Sequence, residues 1–173
     1  MRRFAILGNA GSGKSTLAAW LATRGGLVSL DLDSVAWEPE QPAVRRPIAM
    51  ARAAVKAFCG SHQAWVVEGC YSELVEEALA FQPRLIFLDP GLDRCLAKCR
   101  SRPWEPHKYA TRAEQDAMLG PLLAWVAAYE SREDSMSLRA HQEVFARYAG
   151  PKVEFAHQPR LEPPDPALLE WLR

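Results

Sequence analysis

The stretch Gly8–Ser15, with the sequence GNAGSGKS, constrains the fold more than any other part of this chain. It matches the phosphate-binding pattern G-x-x-x-x-G-K-S, and all eight positions agree with that pattern. The apolar run 3–7 before it predicts a buried parallel strand, and residues 16–22 after it predict a helix. A helix N-cap that follows a glycine turn is the alternative, but the order strand, glycine loop, helix favours a phosphate-binding loop.

The residue types of this loop suit a nucleotide. Glycines let the backbone wrap around an anion, and the N–H groups of the loop and of the following helix end then point at it. We expect Lys14 to reach the β- and γ-phosphates and Ser15 to bind a metal through its hydroxyl. The predicted cofactors are ATP and Mg²⁺. The predicted nucleotide-binding residues of the loop are Gly8, Asn9, Ala10, Gly11, Ser12, Gly13, Lys14, Ser15 and Thr16.

Composition narrows the class of protein. The chain has 173 residues, 49% hydrophobic and 24% charged, which suits one domain with a sizeable core. The net charge of zero makes a nucleic-acid binder less expected. No apolar run is as long as a membrane span. The first strand follows Arg2 at once, which leaves no room for a signal peptide, so we expect a cytoplasmic protein without a membrane partner.

The four cysteines, Cys59, Cys70, Cys95 and Cys99, are expected to be free thiols in a reducing compartment. Structural zinc is disfavoured because the four histidines show no ligand spacing.

Hydrophobic patterning predicts an α/β fold. Strands are predicted at 3–7, 27–31, 64–68, 84–89 and 153–157. Helices are predicted at about 14–23, 45–58, 72–81, 91–102, 112–130, 134–148 and 167–172. This alternation gives a five-stranded parallel sheet with helices on both faces.

Several local details go with this assignment. The segment 37–42 is predicted as a proline-punctuated loop, and the helix 45–58 would carry Arg45, Arg46 and Arg52. Ser72 is a candidate N-cap. The helix 112–130 is expected to kink near Gly120-Pro121.

Acidic residues stand at the carboxyl ends of predicted strands, where ligands bind in an open parallel sheet. Asp31 and Asp33 would face the same way on an extended chain. One could hold a water on Mg²⁺, and the other could accept a proton from a substrate hydroxyl. A helix N-cap in a solvated loop is the alternative. Glu68 and Asp89 end the third and fourth strands. Pro90, instead of Glu, follows Asp89, which argues against an efficient hydrolase.

Basic residues follow the fourth strand. Arg94, Lys98 and Arg102 are spaced i, i+4, i+8, which predicts a basic stripe on one helix face, unless this is an ordinary solvated face. The segment 103–109 is a candidate lid that excludes water from the site.

With these residues in view, the chain resembles small P-loop kinases of the adenylate kinase and shikimate kinase type. It is most similar to the adenylate kinase-related group called "DNA topology modulation protein" (FlaR-like). The resemblance is carried by the P-loop, by 30–37, by 65–71, by the strand ending at Asp89 and by 123–129. It implies a single three-layer P-loop NTPase domain over 1–173 with strand order 2-3-1-4-5. Segment 34–60 would be a substrate-binding insertion and 103–112 a short lid.

The resemblance also implies roles for basic residues. Lys98 and Arg102 match two lid positions that hold the nucleotide, and Arg132 matches the arginine that clamps the transferring phosphoryl group. Arg139 is a second candidate for that role. The group tends to have Asp-Gly-Asn-Tyr after the third strand, whereas this chain has Glu68-Gly69-Cys70-Tyr71.

The leading hypothesis is an ATP-dependent kinase that phosphorylates a nucleotide, a nucleoside or a hydroxylated metabolite. Lys14, Asp33 and Arg132 would be catalytic. The metal ligands would be Ser15, Asp31 and Asp89. The substrate-binding residues would be Asp33, Trp37, Arg52, Glu68 and Arg139.

The alternative is an ATP-binding regulator or nucleic-acid modulator with weak ATPase activity. A GTPase is disfavoured because the chain has neither an N/T-K-x-D nor a D-x-x-G pattern. The expected partner is a small-molecule acceptor, and the chain is expected to be a monomer or a homodimer.

Overall fold

The structure, a computed structural model, describes residues 2–38, 41–106 and 109–172. Pro39 and Glu40 of the predicted insertion 34–60 lie outside the described residues. His107 and Lys108 of the predicted lid 103–112 also lie outside them.

A parallel sheet forms the centre of the molecule. Its strands are β1 (Arg3–Gly8), β2 (Val28–Asp31), β5 (Trp65–Gly69), β6 (Arg84–Leu88) and β7 (Lys152–Phe155), and two further strands, β3 (Trp37–Glu38) and β4 (Gln41–Arg45), pair outside it. The spatial order is β2-β5-β1-β6-β7, with every neighbouring pair parallel. Counted over the five strands of this sheet, the order is 2-3-1-4-5, as the resemblance predicted. The predicted fold class is therefore confirmed.

Helices cover both faces of the sheet. They are α1 (Lys14–Gly25), α2 (Asp33–Ala36), α3 (Ile48–Ser61), α4 (Ser72–Leu79), α5 (Leu92–Arg100), α6 (Arg112–Ala117), α7 (Leu119–Ala127), α8 (Leu138–Arg147) and α9 (Pro166–Leu172), with a 3₁₀ turn at Ala128–Glu130. No helix among the described residues is both long and apolar enough to span a membrane.

Successive side chains of each strand point to opposite faces of the sheet, and this divides the hydrophobic core into two layers. In β1, Ala5 and Leu7 pack with residues of α3, α4 and α8, whereas Phe4 and Ile6 pack with residues of α1 and α9. Each strand therefore serves both layers. This sandwich holds the carboxyl ends of the strands, and the loops that follow them, at one edge of the molecule.

The segment predicted as the loop 37–42 and the start of the helix 45–58 is different in the structure. β3 and β4 form an antiparallel hairpin in which Trp37 pairs with Arg45. Pro47 then precedes α3, and a residue before proline disfavours the α conformation. Arg45 and Arg46 are therefore not helical, and only Arg52 lies on the helix as predicted.

Other helix ends were also predicted wrongly. The predicted helix 112–130 breaks at Met118, and Pro121 lies in the first turn of α7, where its missing N–H is not needed. α5 ends at Arg100, so Arg102 lies outside the basic stripe. Tyr71, not Ser72, is the N-cap of α4. Ser137 caps α8 by accepting a hydrogen bond from the Ala140 N–H, so that helix begins after the predicted 134.

A buried histidine ties α8 to the loop after β5. His141 has no exposed surface, and its Nε2 donates to the Cys70 carbonyl oxygen at 2.6 Å. With that proton on Nε2, Nδ1 accepts from the Tyr129 hydroxyl at 2.7 Å. Both ring nitrogens are thus satisfied in the neutral imidazole. Burial lowers the pKa of His141 from 6.5 to about 3, despite the hydrogen bond to Cys70 that opposes this shift.

This pKa makes stability depend on pH in a predictable direction. Between pH 6.5 and pH 3 the unfolded chain binds a proton at His141 that the folded chain does not bind. His141 therefore contributes a loss of about 2 kcal/mol in the free energy of unfolding between pH 7.5 and pH 5. Urea unfolding of the wild type and of His141→Gln at both pH values measures this contribution. The variant should lose less stability over this interval, and an equal loss in both proteins would contradict the prediction.

Candidate functional site

The phosphate-binding loop joins β1 to α1. Gly11 and Gly13 have φ angles of 78° and 101°, a left-handed conformation that favours glycine, and Gly13 is the N-cap of α1. A Cβ at Gly11 would collide with the Cys95 carbonyl oxygen and would lie 2.9 Å from Cys99 Sγ. The loop is thus pressed against α5, and glycine is required there for conformation and for space.

Lys14 is held inside this loop. Its Nζ donates to the Asn9 carbonyl oxygen at 2.9 Å, and the residue is 6% exposed. Burial by itself would lower its pKa, but Cys70, Glu68 and Asp33 surround the ammonium and raise the pKa above its ordinary value. The site therefore holds a fixed positive charge next to two carboxylates.

One buried polar atom of the loop matches the chemistry of a phosphate. The Ser12 hydroxyl is fully buried and has no hydrogen-bond partner among the described residues. A buried hydroxyl without a partner costs free energy, and a phosphate oxygen would satisfy it. Together with Lys14 and the helix end, this orphaned group fits a nucleotide phosphate.

Carboxylates face the loop from the ends of β2 and β5. Glu68 is 4% exposed and hydrogen bonds to the Ser15 hydroxyl. Burial raises the pKa of Glu68 to about 7, with Asp31 and Asp33 adding to the shift while Lys14 and Ser15 oppose it. Three carboxylates and one ammonium thus share this corner of the site.

The predicted reason for the placement of Asp31 and Asp33 was wrong. The chain does not stay extended after Asp31, because it turns at Leu32 into α2. Asp31 Oδ1 accepts the Asp33 N–H at 2.9 Å across this turn, whereas the N-cap of α2 is Leu32, so the alternative of an aspartate N-cap is also wrong. Both carboxylates nevertheless act on Glu68, so the turn still delivers them to the site.

The residues present fit Mg²⁺, which uses one or two carboxylates together with phosphate oxygens and water. Ser15 lies with Glu68 and Asp31 at the loop. Asp89 follows β6, where its charge acts on Tyr129 and Cys95. Among the described residues, no group of three or more His, Cys, Asp or Glu forms a metal cage, and all four cysteines are free thiols.

A chain of hydrogen bonds links the hairpin to Asp33. Trp37 Nε1 donates to the Tyr71 hydroxyl, which donates to Asp33 Oδ1, each at 2.7 Å. Burial and then Asp33 raise the pKa of Tyr71, so its hydroxyl stays protonated as a donor. The Arg45 guanidinium lies 5.2 Å from the Trp37 ring centre and 4.8 Å from that of Tyr71. Its Nη2 pairs with Glu73 Oε1 at 3.1 Å.

Arg132 lies beside the phosphate-binding loop. Its Nη2 is 3.5 Å from Asn9 Oδ1 and donates to the Met136 carbonyl at 2.6 Å. The guanidinium stacks 3.6 Å from the Trp125 ring centre. Burial lowers the pKa of Arg132, whereas the charges of Asp134 and Cys70 act to raise it. Arg132 is thus fixed by an aromatic face and by carbonyl oxygens at the edge of the loop.

A cavity of about 250 Å³ lies next to the phosphate-binding loop. Ser12, Thr16, Lys98 and Gln158 contribute to its lining, and Gln158 Nε2 donates to the Gly11 carbonyl at 2.9 Å. Lys98, which the sequence analysis predicts to bind the nucleotide, thus lies at a cavity beside the loop. Arg102 instead pairs with Glu105 at 3.2 Å.

Two predicted substrate-binding arginines lie elsewhere. Arg52 on α3 is paired with Glu77 of α4 at 3.3 Å, and Arg139 is exposed on α8. Tyr71 and Gln158 were not predicted as site residues. Tyr71 and Gln158 both follow the carboxyl end of a strand, which is a signal that sequence reasoning could have used. Arg45 was assigned to a helix, so its place in a hairpin was hidden.

No protein-family model matches this chain, and no curated protein matches it. Solved structures do share its fold. A sugar kinase from Janibacter sp. has a TM-score of 0.58 at 16% identity, covering 99% of this chain and 94% of that one. A deoxyadenosine kinase from M. mycoides with bound dATP has a TM-score of 0.58 at 12% identity, and the match covers 99% of both chains. Shikimate kinase from Aquifex aeolicus has a TM-score of 0.54 at 14% identity, and the match covers 98% of this chain and 95% of that one.

The chain thus shares its fold with these three kinases. At these identities the likeness concerns the fold alone.

Gly11→Ala tests the loop geometry. The substitution combines a strained φ with a collision against α5, so we expect the free energy of unfolding to fall by about 1–3 kcal/mol. Gly120→Ala is the matched control, because Gly120 lies in α7 and a Cβ there meets open space. Its stability should equal or exceed that of the wild type. Chemical unfolding measures the free energy of unfolding of both variants. Equal stability of the two would contradict this description of the loop.

Proposed function

We propose that this protein is an ATP-dependent kinase that transfers the γ-phosphoryl group to a small molecule. The observation that carries the proposal is the buried ammonium of Lys14. It is held in a loop with an orphaned Ser12 hydroxyl and faces the carboxylates of Asp33 and Glu68. A pre-formed charge beside a potential base is what phosphoryl transfer requires, since that reaction depends on positioning and on electrostatic stabilisation.

The nucleotide is proposed to bind with its phosphates in the loop and its base in the adjoining cavity of about 250 Å³. Ser12 would donate to a phosphate oxygen, and Lys14 would contact the β- and γ-phosphates. Lys98 lines the cavity as a cation on an exposed helix face. A lysine is a point charge and cannot stack on a base as a guanidinium does, so apolar contact with Leu17 and Leu161 would hold the base.

Charge on the transferred group would be balanced by Lys14 and Arg132. Arg132 is held against Trp125 and beside Asn9, so its position needs no large rearrangement. Ser15, with Asp31 and Glu68, would hold Mg²⁺, which neutralises phosphate charge when bound. Glu68 has a pKa of about 7, so ionising it for this role is easiest above neutral pH.

The acceptor is proposed to lie between the hairpin and the end of β2. Asp33 would orient the acceptor hydroxyl and take its proton, while the Tyr71 hydroxyl keeps the carboxylate in place. Trp37 and Arg45 offer an aromatic face and a cation next to this carboxylate. The proposed acceptor class remains a nucleotide, a nucleoside or a hydroxylated metabolite.

The resemblance to the topology modulation group supports a second proposal, an ATP-binding regulator or DNA modulator with weak hydrolysis. Pro90 after Asp89 favours weak rather than efficient hydrolysis. A cytoplasmic location and a monomeric or homodimeric state belong to both proposals.

The decisive measurement is ADP release from Mg-ATP with a panel of nucleoside monophosphates, nucleosides and hydroxylated metabolites. We expect one acceptor class to stimulate release and Lys14→Ala to reduce the stimulated rate by at least about a hundredfold, because the fixed charge is lost. Lys56→Ala is the matched control, since Lys56 is 60% exposed and pairs with Glu77. A slow release that depends on Lys14 but on no acceptor would support the regulator instead.

Asp33→Asn tests the proposed base. Without a proton acceptor, kcat with the stimulating acceptor should fall about 10²–10⁴-fold, whereas KM for ATP should change little. Tyr71→Phe removes the hydrogen bond to Asp33 and the acceptor of the Trp37 indole N–H, but it leaves the Asp33 carboxylate in place, so its loss of kcat should be smaller. Steady-state kinetics of the two variants makes the comparison. A larger loss in Tyr71→Phe than in Asp33→Asn would remove Asp33 from this role.

A further inference from the structure

A second cavity lies at the amino-terminal ends of the strands, whereas the phosphate-binding loop follows the carboxyl end of β1. It measures about 450 Å³ and is formed where β1 and β6 begin, between the end of α1 and the helix α9. The two cavities have different linings along α1, because Thr16 and Leu17 line the first and Trp20, Leu21 and Arg24 line the second. Substrates of an open parallel sheet bind at the carboxyl ends of its strands, so this cavity is not part of the proposed kinase site.

The polar side chains that line this cavity are all hydrogen-bond donors. Arg2, Arg24 and Arg84 contribute three guanidinium groups. Trp20 adds an indole N–H that is buried and has no hydrogen-bond partner among the described residues. The rest of the lining is apolar, with Phe4 and Leu21 among its walls. A volume of this size, an apolar wall and a few convergent polar groups are the usual features of a small-molecule site.

The charges around the cavity are only partly compensated. Arg24 pairs with Glu162 at 3.7 Å, but both side chains are more than half exposed, and such surface pairs contribute little. Arg84 donates to the Trp171 carbonyl and lies 5.4 Å from the Trp171 ring centre. No acidic side chain is among the described residues that line the cavity. An anion would therefore gain from the local charge, and the orphaned Trp20 N–H would gain a partner.

The carboxyl end of α1 borders this cavity. Its Ala22 carbonyl accepts the Leu27 N–H at 3.0 Å, so that carbonyl already has a partner. Arg24 also lies in the last turn of α1, where a cation offsets the helix dipole.

From this lining we infer that the cavity binds a small organic anion, a carboxylate attached to an aromatic or branched apolar body. The guanidinium groups and the Trp20 indole N–H would hold the carboxylate, and the apolar walls would hold the body. This second site is independent of the phosphate-binding loop and of the proposed transfer reaction.

Calorimetric titration of the full chain with naphthalene-1-acetate tests the inference. Naphthalene-1-acetamide has the same body without the charge, and acetate has the charge without the body. We expect one site per chain for naphthalene-1-acetate and at least about tenfold weaker binding for each of the other two. Equal binding of the acid and the amide, or no binding of the acid at millimolar concentration, would overturn the inference.

Variants assign the binding to this cavity. The double substitution Arg2→Gln, Arg24→Gln should weaken binding of the acid at least about tenfold, whereas Arg100→Gln, on an exposed position of α5, should not change it. Lys14→Ala should also bind the acid as the wild type does, which separates this site from the nucleotide site. Loss of binding in Lys14→Ala, or normal binding in the double variant, would place the ligand elsewhere.

A measurement on the wild-type chain covers the case in which the double variant does not fold. The indole N–H resonance of Trp20, assigned with Trp20→Phe, should shift as naphthalene-1-acetate is added, because that N–H gains a hydrogen-bond acceptor. An unchanged Trp20 resonance at saturating ligand would contradict the inference.

Discussion

The buried ammonium of Lys14 is the charge around which the carboxyl-terminal edge of the sheet is arranged. Its Nζ donates to the Asn9 carbonyl within the same loop, and Asp33 and Glu68 raise its pKa. An isolated charge at 6% exposure would be expensive, so the nearby carboxylates are a condition for keeping Lys14 protonated. The same carboxylates are the groups that a metal and a substrate hydroxyl would use, so one cluster of charges serves both stability and chemistry.

The loop itself depends on packing from outside its own sequence. Gly11 lies so close to Cys95 of α5 that no side chain fits between them. Asn9 is held by Val126 through a hydrogen bond of 3.2 Å, and Arg132 approaches it at 3.5 Å. Behind these contacts, His141 connects the loop after β5 to the Tyr129 hydroxyl. The phosphate-binding loop is therefore supported by α5, α7 and Arg132, all of which follow it in sequence by more than 70 residues.

The proposed acceptor side is arranged differently, around the paired strands β3 and β4, which lie outside the central sheet. Trp37, Tyr71 and Asp33 form one line of hydrogen bonds from β3 to the start of α2. Arg45 covers the two aromatic rings and pairs with Glu73. Specificity on this side would come from few residues, and Arg45 is the one whose charge and exposure make it most available for direct contact.

The sequence by itself determined the parallel sheet, the phosphate-binding loop and the four carboxylates at strand ends, because these depend on local pattern: apolar strands, glycine spacing and residues next to a strand end. The tertiary structure decided the rest. It showed that Trp37–Glu38 and Gln41–Arg45 are paired antiparallel strands, in which Trp37 finds its partner in Arg45. It paired Arg52 with Glu77 and brought Gln158 to the loop over 147 residues of sequence. Contacts between distant residues are set by how the layers pack, and no periodicity within a segment encodes them.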